Sequence, residues 1–273
     1  MADPNETLKT AEQLLLDLRP RSVAGKRSAE LEITEANALA ARFLAEPELW
    51  TNGLGALVGP RGSGKTTLAS NLVSALRTVA PQEVAALGER AAQGGGAMGR
   101  ARPEDALLSD LASGRALLFD DLDRALDAFE GPSLEQGLFH LANLVASARG
   151  AGKGAGEGEG SGKPASLLVT GREPPARWGV RLPDLRTRLE AATLARIEPP
   201  DDRLLTAILQ RSFRARGVAV DDRAIKYLAA RMERDYPAAQ DLVSLLDSES
   251  LRLGRPITSA LAGEALGWVP RRF

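Results

Sequence analysis

Residues Gly59 to Thr66 read "GPRGSGKT". This stretch satisfies the pattern G-x-x-x-x-G-K-[ST] at every fixed position, between a short apolar run, "GALV", and a segment with helical features. A glycine-rich loop in this position turns its backbone N–H groups, and the N-terminus of the following helix, toward an anion. The stretch therefore predicts a phosphate-binding loop, with a plain glycine-rich turn as the alternative.

The polar residues of this loop have separate expected roles. Lys65 would reach the β- and γ-phosphates of a nucleotide, and the hydroxyl of Thr66 would hold Mg²⁺. The predicted nucleotide-binding residues of the loop are Gly59, Pro60, Arg61, Gly62, Ser63, Gly64, Lys65, Thr66 and Thr67. The expected ligands are ADP or ATP together with Mg²⁺.

A second apolar run, "ALLFDD", ends in two aspartates. A buried strand ending in Asp120 would place a carboxylate beside the phosphate loop, where it can bind Mg²⁺ through water. Asp121 would then orient or deprotonate the attacking water, unless it only caps the next turn. Thr170 ends a third run, "SLLVT", and is expected either to sense the γ-phosphate or to be a hydrogen-bonded residue at a strand end.

Apolar runs alternate with helical periodicity from residue 29 to residue 198, which predicts an α/β fold with a parallel sheet and helices on both faces. Four strands are expected, at "GALV", "ALLF", "SLLV" and "ATLARI", and residues 66–80 are expected to form one helix. Residues 150–165 are rich in glycine and predict a flexible insert. Residues 199–273 show helical spacing without a strand pattern, which predicts a small all-helical domain.

Composition narrows the classes of function. The formal net charge is -1, so the chain has no overall basic field for nucleic acid. Because cysteine is absent, disulfides, thiolate catalysis and Cys-ligated zinc are excluded. The single histidine, His140, lies at helical spacing and is expected on a helix face rather than in a metal site. Without a signal-peptide pattern or a membrane-spanning apolar run, a cytoplasmic location is expected.

Four segments resemble the DnaA/Hda family of AAA+ ATPases in their order and spacing. They are "LLFDD", "LLVTGREPP", "LPDLRTRL" and Ala195 to Met232, and the likeness extends over about residues 31–266. "LPDLRTRL" looks closer to the Hda-type members than to the initiator DnaA. The resemblance implies an AAA+ fold with a helical lid, and it makes Arg188 an arginine finger that reaches a neighbouring subunit's nucleotide. From the residues alone, Arg188 is equally well a surface arginine on a helix.

The N-terminal residues 1–28 are expected to form a flexible tail that contains "QLLLDL". Taken alone, this stretch could be an amphipathic element packed on the domain. Hda-like proteins, however, begin with a Gln-Leu-x-Leu-x-Leu type peptide that docks on the β sliding clamp. The resemblance therefore implies clamp binding through Gln13, Leu14, Leu16 and Leu18. An extended peptide with leucine anchors suits such a pocket.

The resemblance implies a negative regulator of replication initiation. It would bind the DNA-loaded β sliding clamp of DNA polymerase III and stimulate ATP hydrolysis on DnaA. An AAA+ motor or helicase loader with its own ATPase cycle, and a DnaA-like adaptor without hydrolysis activity, are the alternatives. A homo-oligomer is also compatible with the family. Direct sequence-specific DNA binding is not expected, because no second basic helical domain follows the lid.

Two departures from the family pattern bear on hydrolysis. In the family the third lid helix opens with an arginine, whereas the matched position here is Pro237, or Gln240 in a shifted alignment. Arg172 also stands where DnaA has an acidic residue. We therefore expect slow turnover of a bound nucleotide, in keeping with the ADP-bound form in which Hda-like proteins work.

Overall fold

The computed structural model describes residues 31–93, 103–152 and 165–268. Contacts within the chain divide it into two units. The sheet unit comprises Ala40–Gly59 and Gly64–Ile197, and the helical unit comprises the described residues 31–39, Pro60–Ser63 and 198–268. The predicted tail and residues 153–164 of the predicted glycine-rich insert lie outside the described residues. Residues 150–152, predicted as part of that insert, instead belong to the helix Ser133–Gly152.

The sheet unit is built on five parallel strands, which are β1 (Leu54–Val58), β2 (Leu76–Thr78), β3 (Ala116–Phe119), β4 (Ser166–Gly171) and β5 (Thr193–Arg196). Their order across the sheet is β2-β3-β4-β1-β5. β1, β3 and β4 are buried along their whole length, as strands covered on both faces must be. Because parallel strands end at one edge, Gly59, Asp120 and Thr170 come to the same edge of the sheet.

Helices connect these strands. They are α1 (Glu35–Ala45), α2 (Lys65–Leu72), α3 (Pro81–Ala92), α4 (Pro103–Ala112), α5 (Leu122–Ala128), α6 (Ser133–Gly152) and α7 (Pro183–Glu190), with short 3-10 turns at Pro47–Leu49, Thr51–Gly53 and Pro175–Arg177. In the core, Leu117 and Val169 of the sheet pack with Leu138 and Leu141 of α6. The α/β fold predicted from the sequence is confirmed.

Residues 66–80, predicted as one helix, instead form α2 and then β2. α2 ends at Leu72, and the turn before the strand contains Ala75 with a φ of 52°. β2 lies at the edge of the sheet, where Arg77 pairs with Glu83 at 2.9 Å and with Asp110 at 2.6 Å. The prediction was wrong because helical spacing continues past Leu72, whereas the strand forms by pairing with β3, which lies later in the chain.

The helical unit contains α8 (Asp202–Ala215), α9 (Asp222–Ala229), α10 (Tyr236–Leu253) and α11 (Ser259–Trp268). Three of these helices begin with an aspartate whose carboxylate accepts a first-turn N–H, a strongly preferred N-cap; the residues are Asp201, Asp221 and Asp235. Leu209, Phe213, Leu228 and Leu242 are buried in a core of their own. The all-helical domain predicted from the sequence is confirmed.

Neither a membrane span nor a metal cluster is found in the part of the chain that the structure describes. Within those residues no helix combines the length and the apolar character that a bilayer crossing requires. His140 lies half-buried on α6, and no group of metal-ligating side chains is found in the same described ranges.

Helices α3 and α6 approach each other at two glycines. A Cβ added at Gly137 would lie 1.7 Å from the carbonyl oxygen of Val84, and one at Gly88 would lie 2.0 Å from that of Ser133. Both neighbours are backbone atoms, which no side-chain rotation can move aside. The two helices are therefore in direct backbone contact.

We expect Gly137→Ala to lower the free energy of unfolding by about 2 kcal/mol or more, since the added methyl forces two helix backbones apart. Thermal and urea unfolding would measure the change. Gly267→Ala is the matched control, because it adds the same methyl to a helix where nothing lies within 4 Å. Equal melting temperatures for Gly137→Ala and the wild type would contradict the direct contact.

Candidate functional site

The loop between β1 and α2 has the backbone of an anion-binding turn. The φ angle is 75° at Gly62 and 83° at Gly64, in the region that glycine enters without a steric penalty. An added Cβ at Gly64 would meet nothing within 4 Å, so the backbone conformation alone requires glycine there. The N–H of Gly59 donates to the carbonyl oxygen of Gly171 at 3.2 Å and joins the start of the loop to the end of β4.

Lys65 is the first residue of α2, and only 6% of it is exposed. Its Nζ donates to the carbonyl oxygen of Gly59 at 3.1 Å. Burial lowers the pKa of the Lys65 ammonium, while the nearby carboxylates of Asp121 and Asp120 act in the opposite direction and raise it. A buried cation at a helix N-terminus, beside a loop of this backbone shape, is suited to an anionic ligand.

The carboxylate of Asp120 joins two hydroxyl groups from different elements. Thr66 Oγ1 donates to Asp120 Oδ2 at 2.6 Å, and Thr170 Oγ1 donates to Asp120 Oδ1 at 2.6 Å. Thr170 is fully buried, whereas Thr66 is exposed. The structure thus brings together residues that lie far apart in the sequence, and it supplies the oxygen atoms that Mg²⁺ prefers.

The backbone of Asp121, the residue after Asp120, has an unusual conformation. Its φ of 49° and ψ of 47° are left-handed, a conformation that side chains with a Cβ rarely adopt and that clusters at functional sites. Its N–H donates to Thr170 Oγ1 at 2.8 Å, and its carboxylate lies 3.8 Å from Arg124. Although Asp121 stands at the N-cap position of α5, its side chain makes no capping hydrogen bond. The half-exposed carboxylate is therefore not used to cap the helix.

Two acidic residues of structural importance were missed from the sequence. Asp123 Oδ2 accepts the backbone N–H of Arg172 at 2.9 Å, and its Oδ1 is buried without a hydrogen-bond partner among the described residues. Glu135, in the first turn of α6, is buried and bonds to backbone groups near α7. In the sequence both resemble ordinary first-turn acids, because the N–H groups they bind lie more than forty positions away.

Arg188 lies near the end of α7, whose residues Leu185 and Leu189 are buried in the core. Arg188 itself is half-buried, and its guanidinium carbon lies 5.3 Å from the centre of the Phe139 ring on α6. Among the described residues, Arg188 makes no hydrogen bond with the phosphate loop. Its contact is with Phe139 of α6.

In the helical unit, Gly62 lies against the start of α10. A Cβ added at Gly62 would be 3.2 Å from Tyr236 Cβ and 3.5 Å from Pro237 Cδ. The phenol of Tyr236 donates to the carbonyl oxygen of Glu198 at 3.4 Å, and burial, assisted by Asp201, raises its pKa to about 12. A neutral tyrosine and a proline therefore stand next to Gly62.

The arginines nearest to this position in the sequence have other partners. Arg231 stacks over Tyr227, with 4.1 Å between the guanidinium carbon and the ring centre. Arg234 Nη2 lies 3.0 Å from Asp202 Oδ1. Both guanidinium groups therefore contact other residues of the helical unit. The predicted clamp-binding residues, Gln13, Leu14, Leu16 and Leu18, lie outside the described residues.

Comparison with known proteins adds two kinds of likeness. The family model for the lid domain of Hda matches residues 201–266. The fold is similar to domain III of the replication initiation protein DnaA from Thermotoga maritima, with a TM-score of 0.59 at 15% sequence identity, over 88% of this chain and 95% of that chain. AMPPCP-bound DnaA from Aquifex aeolicus gives a TM-score of 0.52 at 16% identity, over 81% of this chain and 64% of that one.

The RuvB Holliday junction branch migration motor from Thermotoga maritima is also similar, with a TM-score of 0.51 at 17% identity, over 92% of this chain and 72% of that chain. Structural likenesses at these identities establish a shared fold and nothing more specific. The family match is to the lid domain of Hda and covers residues 201–266, whereas the DnaA and RuvB structures share the fold over most of the chain.

Proposed function

We propose that this chain is an Hda-like negative regulator of replication initiation. It binds the DNA-loaded β sliding clamp of DNA polymerase III and stimulates ATP hydrolysis on DnaA through Arg188. The observation that carries this proposal is the match of residues 201–266 to the lid domain of Hda, since the DnaA and RuvB structures share only the fold. With DnaA as its partner, the protein would act in the cytoplasm, without sequence-specific DNA binding of its own.

A nucleotide fits the phosphate loop on three observations. The loop glycines have the left-handed conformation, Lys65 is buried at the start of α2, and the Asp120 carboxylate lies within 2.6 Å of the Thr66 hydroxyl. Lys65 would bind the β-phosphate and, in ATP, the γ-phosphate; Thr66 and Asp120 would hold Mg²⁺, which screens the phosphate charge. Asp121 would orient the attacking water if the bound nucleotide is ATP.

We expect slow turnover of a bound nucleotide because the resemblance places Pro237 where the family has a lid arginine. A lid arginine that touches the phosphates would add positive charge as the γ-phosphate leaves. Here Tyr236 and Pro237 stand next to Gly62, while Arg231 and Arg234 are engaged elsewhere. Because neither a phenol with a raised pKa nor a proline supplies charge, we propose that the site retains ADP rather than cycling ATP.

The stimulated hydrolysis would instead take place on DnaA. Arg188 is permanently charged and planar, which suits the developing charge on a transferring phosphoryl group. Its contact with Phe139 holds the guanidinium at the end of a helix with a buried face. We propose that this side chain enters the ATP site of a DnaA molecule docked against α7.

The deciding experiment uses ATP-bound DnaA, clamp loaded on DNA, and this protein at increasing concentrations. Acceleration of ATP hydrolysis on DnaA, dependent on the loaded clamp, is the expected result. If hydrolysis occurs on this chain alone and is lost in Lys65→Ala, the motor or helicase-loader alternative holds instead. Complex formation with DnaA without faster hydrolysis would identify the adaptor.

Clamp binding is expected to depend on the N-terminal peptide. Replacing Gln13, Leu14 and Leu16 together with alanine should weaken binding to the clamp about a hundredfold or more, since each buried anchor typically contributes over 1 kcal/mol. Surface plasmon resonance with immobilised clamp would measure this. Leu8→Ala is the control, because it removes a leucine of the same tail outside the motif. If the triple variant loses thermal stability, the peptide packs on the domain instead.

A further inference from the structure

Helix α7 begins without a capping side chain of its own. Leu182 stands at the N-cap position with no side-chain acceptor, and Pro183 follows it. The backbone N–H groups at the beginning of a helix need acceptors from outside the helix. Glu135 of α6 supplies one of these acceptors: its Oε2 accepts the N–H of the N-cap residue Leu182 at 2.6 Å and that of the preceding residue, Arg181, at 2.9 Å.

Glu135 is buried, with 8% of the residue exposed. A buried carboxylate is tolerated only when charged or polar hydrogen bonds replace its water, and bonds of this kind are among the stronger ones in proteins. The positive end of the α7 dipole also favours an anion at this place. Glu135 therefore fixes the position at which α7 begins.

Phe139 lies one helical turn after Glu135, on the same face of α6. Its ring meets the guanidinium of Arg188 at a distance of 5.3 Å from ring centre to guanidinium carbon. Leu185 and Leu189 of α7 are buried in the core. One face of α6 thus contacts both ends of α7. Glu135 bonds to the residues at its beginning, and the Phe139 ring packs against Arg188 near its end.

We infer that Glu135 is a positioning residue for Arg188. By fixing the beginning of α7, it sets the rotation and height of the helix, and so the place where the guanidinium meets Phe139. The effect on DnaA rests on the proposed function, whereas the positioning itself is a property of this chain alone. A group that stabilises a transition state must be held to within a fraction of an ångström, so a shift of α7 would reduce stimulation even though Arg188 is present.

The positioning can be measured without DnaA. In the full-length protein with ¹⁵N-labelled arginine, the Phe139 ring should shift the Nε–H resonance of Arg188, which Arg188→Lys would assign. Phe139→Leu gives the reference spectrum without the ring. We expect Glu135→Ala to move the resonance to the reference position, and Glu135→Gln, whose amide oxygen still accepts both N–H groups, to leave it near the wild-type position. Glu89→Ala, at an exposed site on α3, is the control for loss of a carboxylate.

The same variants are then compared in the DnaA assay. Glu135→Ala should lower the maximal stimulated rate about tenfold, a modest case of what misplacement of a reacting group by an ångström costs. Glu135→Gln should restore most of the rate.

Each outcome decides a different claim. If the Arg188 resonance is the same in Glu135→Ala and wild type, the positioning role is wrong, whatever DnaA does. If the resonance moves but the stimulated rate is unchanged, Glu135 has no part in presenting the finger. If the wild-type protein has no effect on ATP hydrolysis by DnaA, the proposed function is wrong. The spectra would still show whether Glu135 positions Arg188. Should Glu135→Ala unfold, Glu135→Asp, which withdraws the carboxylate by one methylene, replaces it in both experiments.

Discussion

Arg188→Ala is expected to lower the clamp-dependent rate of ATP hydrolysis on DnaA by about 10³-fold, the lower end of what arginine fingers contribute in phosphoryl transfer. Without the guanidinium, no cation from this chain would offset the charge that develops on the transferring phosphate. Arg188→Lys keeps the charge but loses the planar, bidentate geometry, so it should recover only part of the rate. Phosphate release, or the ratio of ADP to ATP on DnaA, measures the effect.

The structure separates this effect from a loss of folding. Removing a half-exposed cation from above Phe139 should cost no more than about 1 kcal/mol of stability. Arg252→Ala is the control for charge, because it removes an exposed arginine at the far end of α10. If Arg188→Ala stimulates DnaA within threefold of the wild type while the control is unaffected, Arg188 is a surface arginine and not a finger.

Lys65→Ala should weaken binding of ADP and ATP about a hundredfold, since two charge-assisted hydrogen bonds to phosphate contribute roughly 1.5 kcal/mol each. The loss also leaves the carboxylates of Asp120 and Asp121 without the ammonium that lies near them. Fluorescent nucleotide titration with Mg²⁺ measures the affinity, and nucleotide-dependent stabilisation against heat provides a second measurement.

Lys226→Ala is the matched variant for this experiment. It removes an exposed lysine on α9 and should bind nucleotide as the wild type does. A Lys65→Ala protein that folds and binds both nucleotides with wild-type affinity would show that the glycine-rich loop is only a turn. Loss of ATP binding with ADP binding retained would limit the role of Lys65 to the γ-phosphate.

The motifs were predictable because their signals are local. The fixed positions of the stretch from Gly59 to Thr66 are enough to predict a loop between a strand and a helix, and "ALLFDD" shows a buried strand ending in acids. The all-helical domain was predictable for the same reason, since periodicity and aspartate caps lie within each helix. These features do not depend on which distant residues come together.

The features that could not be predicted from the sequence depend on residues that are distant in the chain. β2 is a strand because it pairs with β3, about forty positions later in the chain, whereas its own residues continue a helical pattern. Glu135 acts on N–H groups 46 and 47 positions away, and Asp123 on one 49 positions away. A hydrogen bond to backbone leaves no pattern at the partner position, because every residue except proline has the same N–H.

The contact of α3 with α6 also limits how the surface around Arg188 could be redesigned. Gly137 lies two residues after Glu135, on another face of α6, where any side chain would strike a backbone oxygen of α3. A library made to redirect the protein to another partner could vary exposed positions of α7, but it would return only glycine at positions 88 and 137. We expect that changes to α7 could re-orient Arg188, while the contact between α3 and α6 would stay the same in every folded member of the library.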